Sequence, residues 1–364
     1  MRVAFRTDAS SQIGTGHVMR CLTLAEALRE EGANCQFVCR EHEGHLIDHI
    51  HSRGYQAYAL PKPSSHISCE SDLAHAGWLG VDWKTDAVET RQALGSEGVD
   101  WLIVDHYALD HRWESALRSS SKRIMAVDDL ADRQHDCDLL LDQNYGSSVE
   151  RYRGLVSADY TQCHGPEYAL LKPVYAERRA QLPVRDGQVR RVLIYFGGGS
   201  DAANATHLAA QAFQSIELAH IELDIVVGAA YAHQSSLEEL VAQRGNATIH
   251  RQLPDLADLM AKADIAIGAG GATTWERCCM GLATIVISIA ENQRPACEAL
   301  SADKLIDYLG HVDQLTSETI RDRVLFFMKN SDLLRDLSER GMELVNGNGV
   351  LKVIKMMIHP HSTR

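Results

Sequence analysis

Three short stretches carry residue types whose spacing suits chemistry. The first is DASSQIGTGHVMR, from Asp8 to Arg20. Gly14 and Gly16 let a backbone approach a ligand closely and adopt unusual φ values, and the helix expected after them offers unpaired N–H donors. His17 stands at the start of that helix, where the positive end of the dipole disfavours an imidazolium. It reads either as a neutral histidine able to take a proton or as a cap bonded to a loop carbonyl. Its place in a glycine turn at the end of a strand favours the first. Arg20 ends the motif and joins Gly14 and Gly16 as a candidate substrate-binding residue. The motif stops short of a full GxGxxG, which argues against a dinucleotide cofactor.

The second stretch is IGAGGATTWE, from Ile267 to Glu276. Ala269, Gly270 and Gly271 follow a strand, and a helix is expected to begin at Thr273 or Thr274. Such a turn presents N–H groups to a diphosphate, and hydroxyls add further bonds. Glu276, on the first turn of the helix, either accepts from ribose hydroxyls or is simply a favourable charge at the dipole's positive end. The third stretch, ISIAENQ, runs from a strand into Glu291, Asn292 and Gln293. The amides of Asn292 and Gln293 suit phosphate or sugar N-acetyl and hydroxyl groups, or else cap a solvated loop. Asp105, His106 and Tyr107 end another strand, and Tyr107 is a candidate substrate contact. Asp128 and Asp129 do likewise, but a metal would need further ligands that the pattern does not supply, so none is expected. FGGGSD, Phe196 to Asp201, is either a phosphate loop or a tight opening turn.

These motifs need strands to carry them and helices to follow, and the chain supplies both twice. RVAFRTD reads as a strand and HVMRCLTLAEALREEG as a helix with Val18, Leu22, Ala25 and Leu28 on one face and Gly32 just past its end. NCQFVCR, YQAYAL, WLIVDHY, RIMAVDD and CDLLLDQ are further strands. Pro61 to Asp100 is polar and less regular, an insertion or connector with no catalytic role assigned. Lys172 to Arg190, charged and broken by two prolines and a glycine, suits a linker. A second series then follows: RVLIYFGGGSD, LDIVVGAA, TIHRQL, DIAIGAGG and ATIVISIA as strands, with helices between. The expected architecture is α/β and GT-B-like, two Rossmann-like domains whose parallel sheets face one cleft. The boundaries expected are 1–171, a linker 172–190, a second domain 191–345 and a C-terminal helix and tail 346–364.

A length of 364 residues accommodates two such domains of about 150 residues. The formal charge of −13 argues against a nucleic-acid partner, whose phosphates demand basic patches. No stretch approaches the roughly 20 apolar residues needed to cross a bilayer, so no membrane partner is expected. Nine cysteines, none in a CxxC pair, point to reduced thiols and a cytoplasmic protein rather than a disulfide framework or zinc cluster.

DASSQIGTGHVMRCLTLAEAL, WLGVDWKTDA, VDHYALD, VDDLADRQHDCDLLLDQN, GPEYALL, FGGGSD, GAGGATTWE and AENQ occur in this order. Together they resemble the UDP-2,4-diacetamido-2,4,6-trideoxy-β-L-altropyranose hydrolases of pseudaminic acid biosynthesis, from Met1 to about Gly349. GTGH and GGATTWE alone are also similar to MurG-like GT-B glycosyltransferases; their combination with VDHY, VDDL and AENQ separates the two. Ala269 and Ala272 depart from the pattern only by exchanging small residues. The resemblance implies that His17 is the base activating water and that Gly270–Glu276 binds UDP, with Asn292 helping to hold the substrate. It also implies water attack at the sugar C1 with inversion. The expected partner is therefore a small-molecule UDP-amino sugar, with no cofactor and no metal. A glycosyltransferase using the same kind of donor is the alternative, and a non-enzymatic nucleotide-sugar binder is a third. The oligomeric state is not legible in the sequence.

Overall fold

The computed structural model describes residues 1–63, 72–157, 159–199 and 201–359. Cys69, Ser200 of the FGGGSD stretch, residues 64–71 of the irregular Pro61–Asp100 region and the last residues of the tail lie outside them. The chain divides into two compact units, Met1–Leu170 with Gly349–Arg364, and Leu171–Asn348.

The first unit holds seven strands: β1 (Arg2–Thr7), β2 (Asn34–Arg40), β3 (Gln56–Leu60), β4 (Val99–Asp105), β5 (Ser121–Val127), β6 (Leu139–Asp142) and β7 (Thr161–His164). Their order across the sheet is β3-β2-β1-β4-β5-β6-β7, and every pairing is parallel. Such strands are apolar on both faces because helices cover both. Val3 and Phe5 pack into one core with Leu22, Leu24 and Leu28 of the helix Gly16–Glu30, while Ala4 faces a second core built around Trp113 and Leu102. The helix ends where Gly32 takes a φ of +78°, the left-handed conformation that glycine adopts without strain. The C-terminal helix Gly349–Ile358 belongs to this unit, with Val350, Val353, Ile354 and Met357 in the first core.

The described residues of Pro61–Asp100 carry regular structure that their polar sequence does not suggest. They contain a 3₁₀ turn, Ala76–Leu79, and an α-helix, Trp83–Leu94, whose N-cap Asp82 accepts from the N–H groups of Lys84 and Thr85 at 3.0 Å. On that helix Asp86 is fully buried and explains two fully buried arginines. Arg6 grips it through Nε at 3.1 Å and Nη2 at 2.6 Å, Arg40 Nη2 reaches it at 2.7 Å, and Trp113 Nε1 donates at 2.9 Å. The segment therefore ties β1 and β2 to the helical layer over them.

The second unit repeats the plan with β8 (Arg191–Tyr195), β9 (Glu222–Val227), β10 (Ala247–Arg251), β11 (Ile265–Gly268), β12 (Thr284–Ser288) and β13 (Asp307–His311), ordered β10-β9-β8-β11-β12-β13 and all parallel. The stretch read as a linker is part of this unit: it opens with a helix, Pro173–Arg179, whose Tyr175 is buried. Both sheets reverse their strand order beside their first strand, at β1/β4 and at β8/β11. In open parallel sheets this switch point, at the carboxyl ends of the strands, is where ligands sit.

Candidate functional site

At the β1/β4 switch point, Thr7 pairs with Asp105, so the chain leaves β1 and β4 side by side. From β1 it enters the loop that carries Gly14, whose φ of +81° requires glycine and whose N–H bonds Ser10 O at 2.8 Å. A side chain at Gly16 would meet nothing within 4 Å, so that glycine answers to no protein neighbour. The next residue, His17, is 8% exposed, and its Nδ1 lies 2.6 Å from Asp105 Oδ1.

Asp105 is fully buried and held from two sides. Arg20 donates through Nε to Oδ2 at 2.6 Å and through Nη2 to Oδ1 at 2.7 Å. Burial opposes its ionisation, but Arg20 and then His17 outweigh burial and keep the carboxyl well below the usual range. An ionised carboxylate only accepts, so the proton of a neutral His17 sits on Nδ1 and leaves Nε2 with a lone pair. Among the described residues, Nε2 has no hydrogen-bond partner. Arg20 reaches further, donating through Nη1 to Asp129 Oδ2 at 2.7 Å, and the Tyr107 hydroxyl donates to that same oxygen at 2.6 Å. Burial first and Asp129 second push the Tyr107 phenol well above its ordinary value, so it remains a donor.

Asp105 and Asp129 entered no site assignment in the sequence, although each stands at a strand's carboxyl end. Two aromatic neighbours were given no site role in the sequence. Tyr107 meets the His17 ring edge-on at 4.6 Å between centroids, and beyond it lie Trp78 at 5.7 Å and His75 at 5.5 Å. Both come from the Pro61–Asp100 region, and both are half-buried. In the sequence they appear as HAGW, whose Trp78 opens the stretch WLGVDWKTDA, with nothing local to mark a site.

At the β8/β11 switch point, β11 runs into the turn that carries Gly270 and Gly271, followed by the helix Thr273–Cys279. Gly270 is fixed by packing, since a Cβ there would come 2.2 Å from Cys297 Sγ, whereas Gly271 is exposed and would meet nothing. The N–H groups of Thr274 and Trp275 are taken by the carbonyls of Gly271 and Ala272 at 2.8 and 3.1 Å. The Thr274 hydroxyl is buried and accepts from Arg277 at 3.0 Å, so it faces inward, while Thr273 is half-buried. Glu276 is half-buried; burial raises its carboxyl to about 7 against the pull of the Tyr175 hydroxyl, Arg277 and Lys172. Asn292 is exposed, and Gln293 Oε1 accepts from Ile289 N at 3.0 Å. In the other loop, Asp201 accepts from Ala205 and Thr206 N–H at 2.9 and 2.8 Å and so caps a helix. Among the described residues no group of three or more His, Cys, Asp or Glu side chains could hold a metal ion, and no helix is long and apolar enough to cross a membrane. The eight described cysteines are all free and buried.

Residues 192–334 match the glycosyltransferase family 28 C-terminal domain. The matched residues lie within the second unit. The likeness read from the sequence also holds against a curated protein. The UDP-2,4-diacetamido-2,4,6-trideoxy-β-L-altropyranose hydrolase of Campylobacter jejuni is 31% identical over 173 residues, 47% of this chain and 52% of that protein. The spore coat polysaccharide biosynthesis protein SpsG of Bacillus subtilis is 22% identical over 359 residues, 98% of each chain. Among solved structures, MurG of Acinetobacter baumannii superposes with a TM-score of 0.66 at 14% identity, covering 98% of this chain and 99% of that one. The Neisseria meningitidis UDP-GlcNAc 2-epimerase bound to UDP-GlcNAc follows at 0.61 and 11%, covering 98% and 100%. These superpositions establish the GT-B fold expected from the sequence, and a fold shared by differently named enzymes does not choose a reaction.

Proposed function

We propose that this chain is a nucleotide-sugar hydrolase that releases UDP from UDP-2,4-diacetamido-2,4,6-trideoxy-β-L-altrose by water attack at the sugar C1. The observation that carries the reading is the His17–Asp105 pair. A base that must take a proton from water needs a free ring nitrogen and a partner holding the other in one tautomer, and this pair supplies both. The name and 31% identity of the Campylobacter jejuni relative support the substrate class, and the family 28 domain supports a nucleotide-sugar ligand.

His17 Nε2 takes a proton from water as its oxygen bonds to C1. The bond from C1 to the diphosphate oxygen breaks on the opposite face, its electron pair leaves with UDP, and the anomeric centre inverts. Asp105 stays ionised and accepts from the imidazolium that forms. The half-buried wall of Tyr107, Trp78 and His75 beside His17 suits the apolar face and methyl groups of a deoxy, N-acetylated sugar. In the second unit, the exposed backbone of Gly271 with Thr273 would take the diphosphate, Glu276 the ribose hydroxyls, and Asn292 and Gln293 the diphosphate or sugar.

A glycosyltransferase would use the same donor groups with an acceptor hydroxyl in place of water. Incubation of the enzyme with a panel of UDP-amino sugars and no acceptor separates the two. Rapid, catalytic UDP release from the diacetamido-trideoxy substrate is expected; release that stays slow until an acceptor alcohol is added would replace hydrolysis with transfer.

A further inference from the structure

Among the described residues, four arginines are at least nine-tenths buried: Arg6, Arg40, Arg133 and Arg277. Three of them carry carboxylates. Arg6 has Asp8 and Asp86 at 2.7 and 2.6 Å, Arg40 has Asp86 at 2.7 Å, and Arg133 has Asp128 at 2.9 Å. Arg277 is 2% exposed and has no ion pair with any described carboxylate. Its guanidinium spends its donors on neutral oxygens, with Nη2 donating to Ala269 O at 2.7 Å and to Thr274 Oγ1 at 3.0 Å, while its buried Nε has no partner. A guanidinium does not lose its proton under any condition the folded chain meets. A full positive charge is thus sealed under the turn Ala269–Thr274, out of water and with no carboxylate in ion-pair contact, the adjacent Glu276 acting on it only at longer range, and such a charge is costly until an anion comes near.

The packing keeps that charge close to the backbone of the turn. A Cβ on Gly268 would come 2.5 Å from Arg277 Nη1, so the guanidinium lies directly against the chain where β11 ends. On the outer side of the same turn, Gly271 and Ala272 are exposed. An anion resting there would sit on the same turn whose Ala269 carbonyl and Thr274 hydroxyl the guanidinium holds, within reach of its charge.

We propose that Arg277 is a positioning residue and buried counter-charge for the diphosphate: it braces the turn through Ala269 and Thr274 and supplies the positive charge that the ligand, rather than a protein carboxylate, neutralises. This rests on the reading that UDP binds at this turn. It does not require that UDP be the product of hydrolysis.

The test is isothermal titration of UDP, uridine and inorganic pyrophosphate into the wild type, Arg277→Met and Arg277→Lys, with thermal melts to establish folding. Arg277→Met keeps an unbranched apolar stem and removes the charge; it is expected to weaken UDP by about tenfold or more and to leave uridine within about twofold. Arg277→Lys retains the charge and is expected to recover most of the UDP affinity. UDP binding unchanged in Arg277→Met would overturn the proposal, as would equal losses for UDP and uridine, which mark a collapsed turn. Should Arg277→Met not fold, a tenfold loss of UDP affinity in folded Arg277→Lys would overturn it equally. A wild type that binds neither UDP nor pyrophosphate would do so too. A wild type that binds UDP but hydrolyses no UDP-sugar would remove the hydrolase reading and leave Arg277 in place; normal hydrolysis with unaltered UDP binding in Arg277→Met would do the reverse.

Discussion

His17 Nδ1 and Asp105 Oδ1 lie 2.6 Å apart although 88 positions separate them in the chain. Parallel pairing of β1 with β4 places the ends of the two strands together, and Arg20, one turn into the helix, clamps the carboxylate in a fixed plane. Asp105→Asn keeps the size but offers an amide that can present N–H to Nδ1 and favour the wrong tautomer. A fall in kcat of about 10²-fold or more is expected, with UDP affinity little changed. His17→Ala is expected to cost as much, and the double variant no more than the worse single, because the two act as a unit. Steady-state kinetics on the three variants check this; multiplicative losses would mean that the two residues act separately.

Trp78→Ala removes the outer part of the aromatic wall without touching the His17–Asp105 pair. KM for the diacetamido-trideoxy substrate is expected to rise by about tenfold with kcat within about threefold, since the wall would hold the sugar equally in ground and transition states. A fall in kcat at constant KM would place Trp78 in the chemistry instead.

The α/β alternation, the two sheets and the glycine loops were legible because parallel strands buried on both faces leave continuous apolar runs, as in WLIVD and ATIVIS. The short strands β7 and β13, TQCH and DYLGH, carry too few apolar residues to register as such a run. The Pro61–Asp100 region misled for a related reason. Its buried residues include Asp86, whose partners Arg6 and Arg40 are 80 and 46 positions away, so nothing local marks it as core. His17 was legible from its glycine turn; its orienting carboxylate was not, because the pairing of Asp105 with His17 rather than with solvent is fixed only by strand order. Likewise, Thr274 reads outward in GGATTWE, and only the packing of Arg277 turns its hydroxyl inward.

Asp86 closes a buried network of two arginines and an indole, and removing it leaves Arg6 with Asp8 alone and Arg40 with Glu89 alone. Asp86→Ala is expected to destabilise the first unit by about 3–5 kcal/mol. Denaturant unfolding followed by Trp fluorescence measures this; a loss within about 1 kcal/mol of the cost of an exposed substitution would show that the network contributes little net stability.

Burial raises the Glu276 carboxyl from its ordinary 4.5 to about 7. The folded chain therefore keeps a proton that the unfolded chain releases between those values. The stability linked to this group is complete below about pH 4.5 and is lost as pH rises through about 7. A carboxylate is also the stronger acceptor for ribose hydroxyls. Uridine is thus expected to bind more tightly at about pH 8 than at about pH 6, and Glu276→Gln to flatten both that gain and the loss of Tm over the same range. Uridine, lacking phosphate, avoids the ligand's own titration. Identical pH profiles for the wild type and Glu276→Gln would remove Glu276 from nucleoside recognition.

The bond that breaks tests the proposed hydrolysis most directly. If His17 Nε2 deprotonates water as proposed, water attacks carbon and the diphosphate leaves intact. In ¹⁸O-labelled water the label is expected on the anomeric oxygen of the free sugar, read by mass spectrometry before that oxygen exchanges with solvent, with none in UDP. Label in the β-phosphate of UDP would make phosphorus the electrophile and contradict the role given to His17.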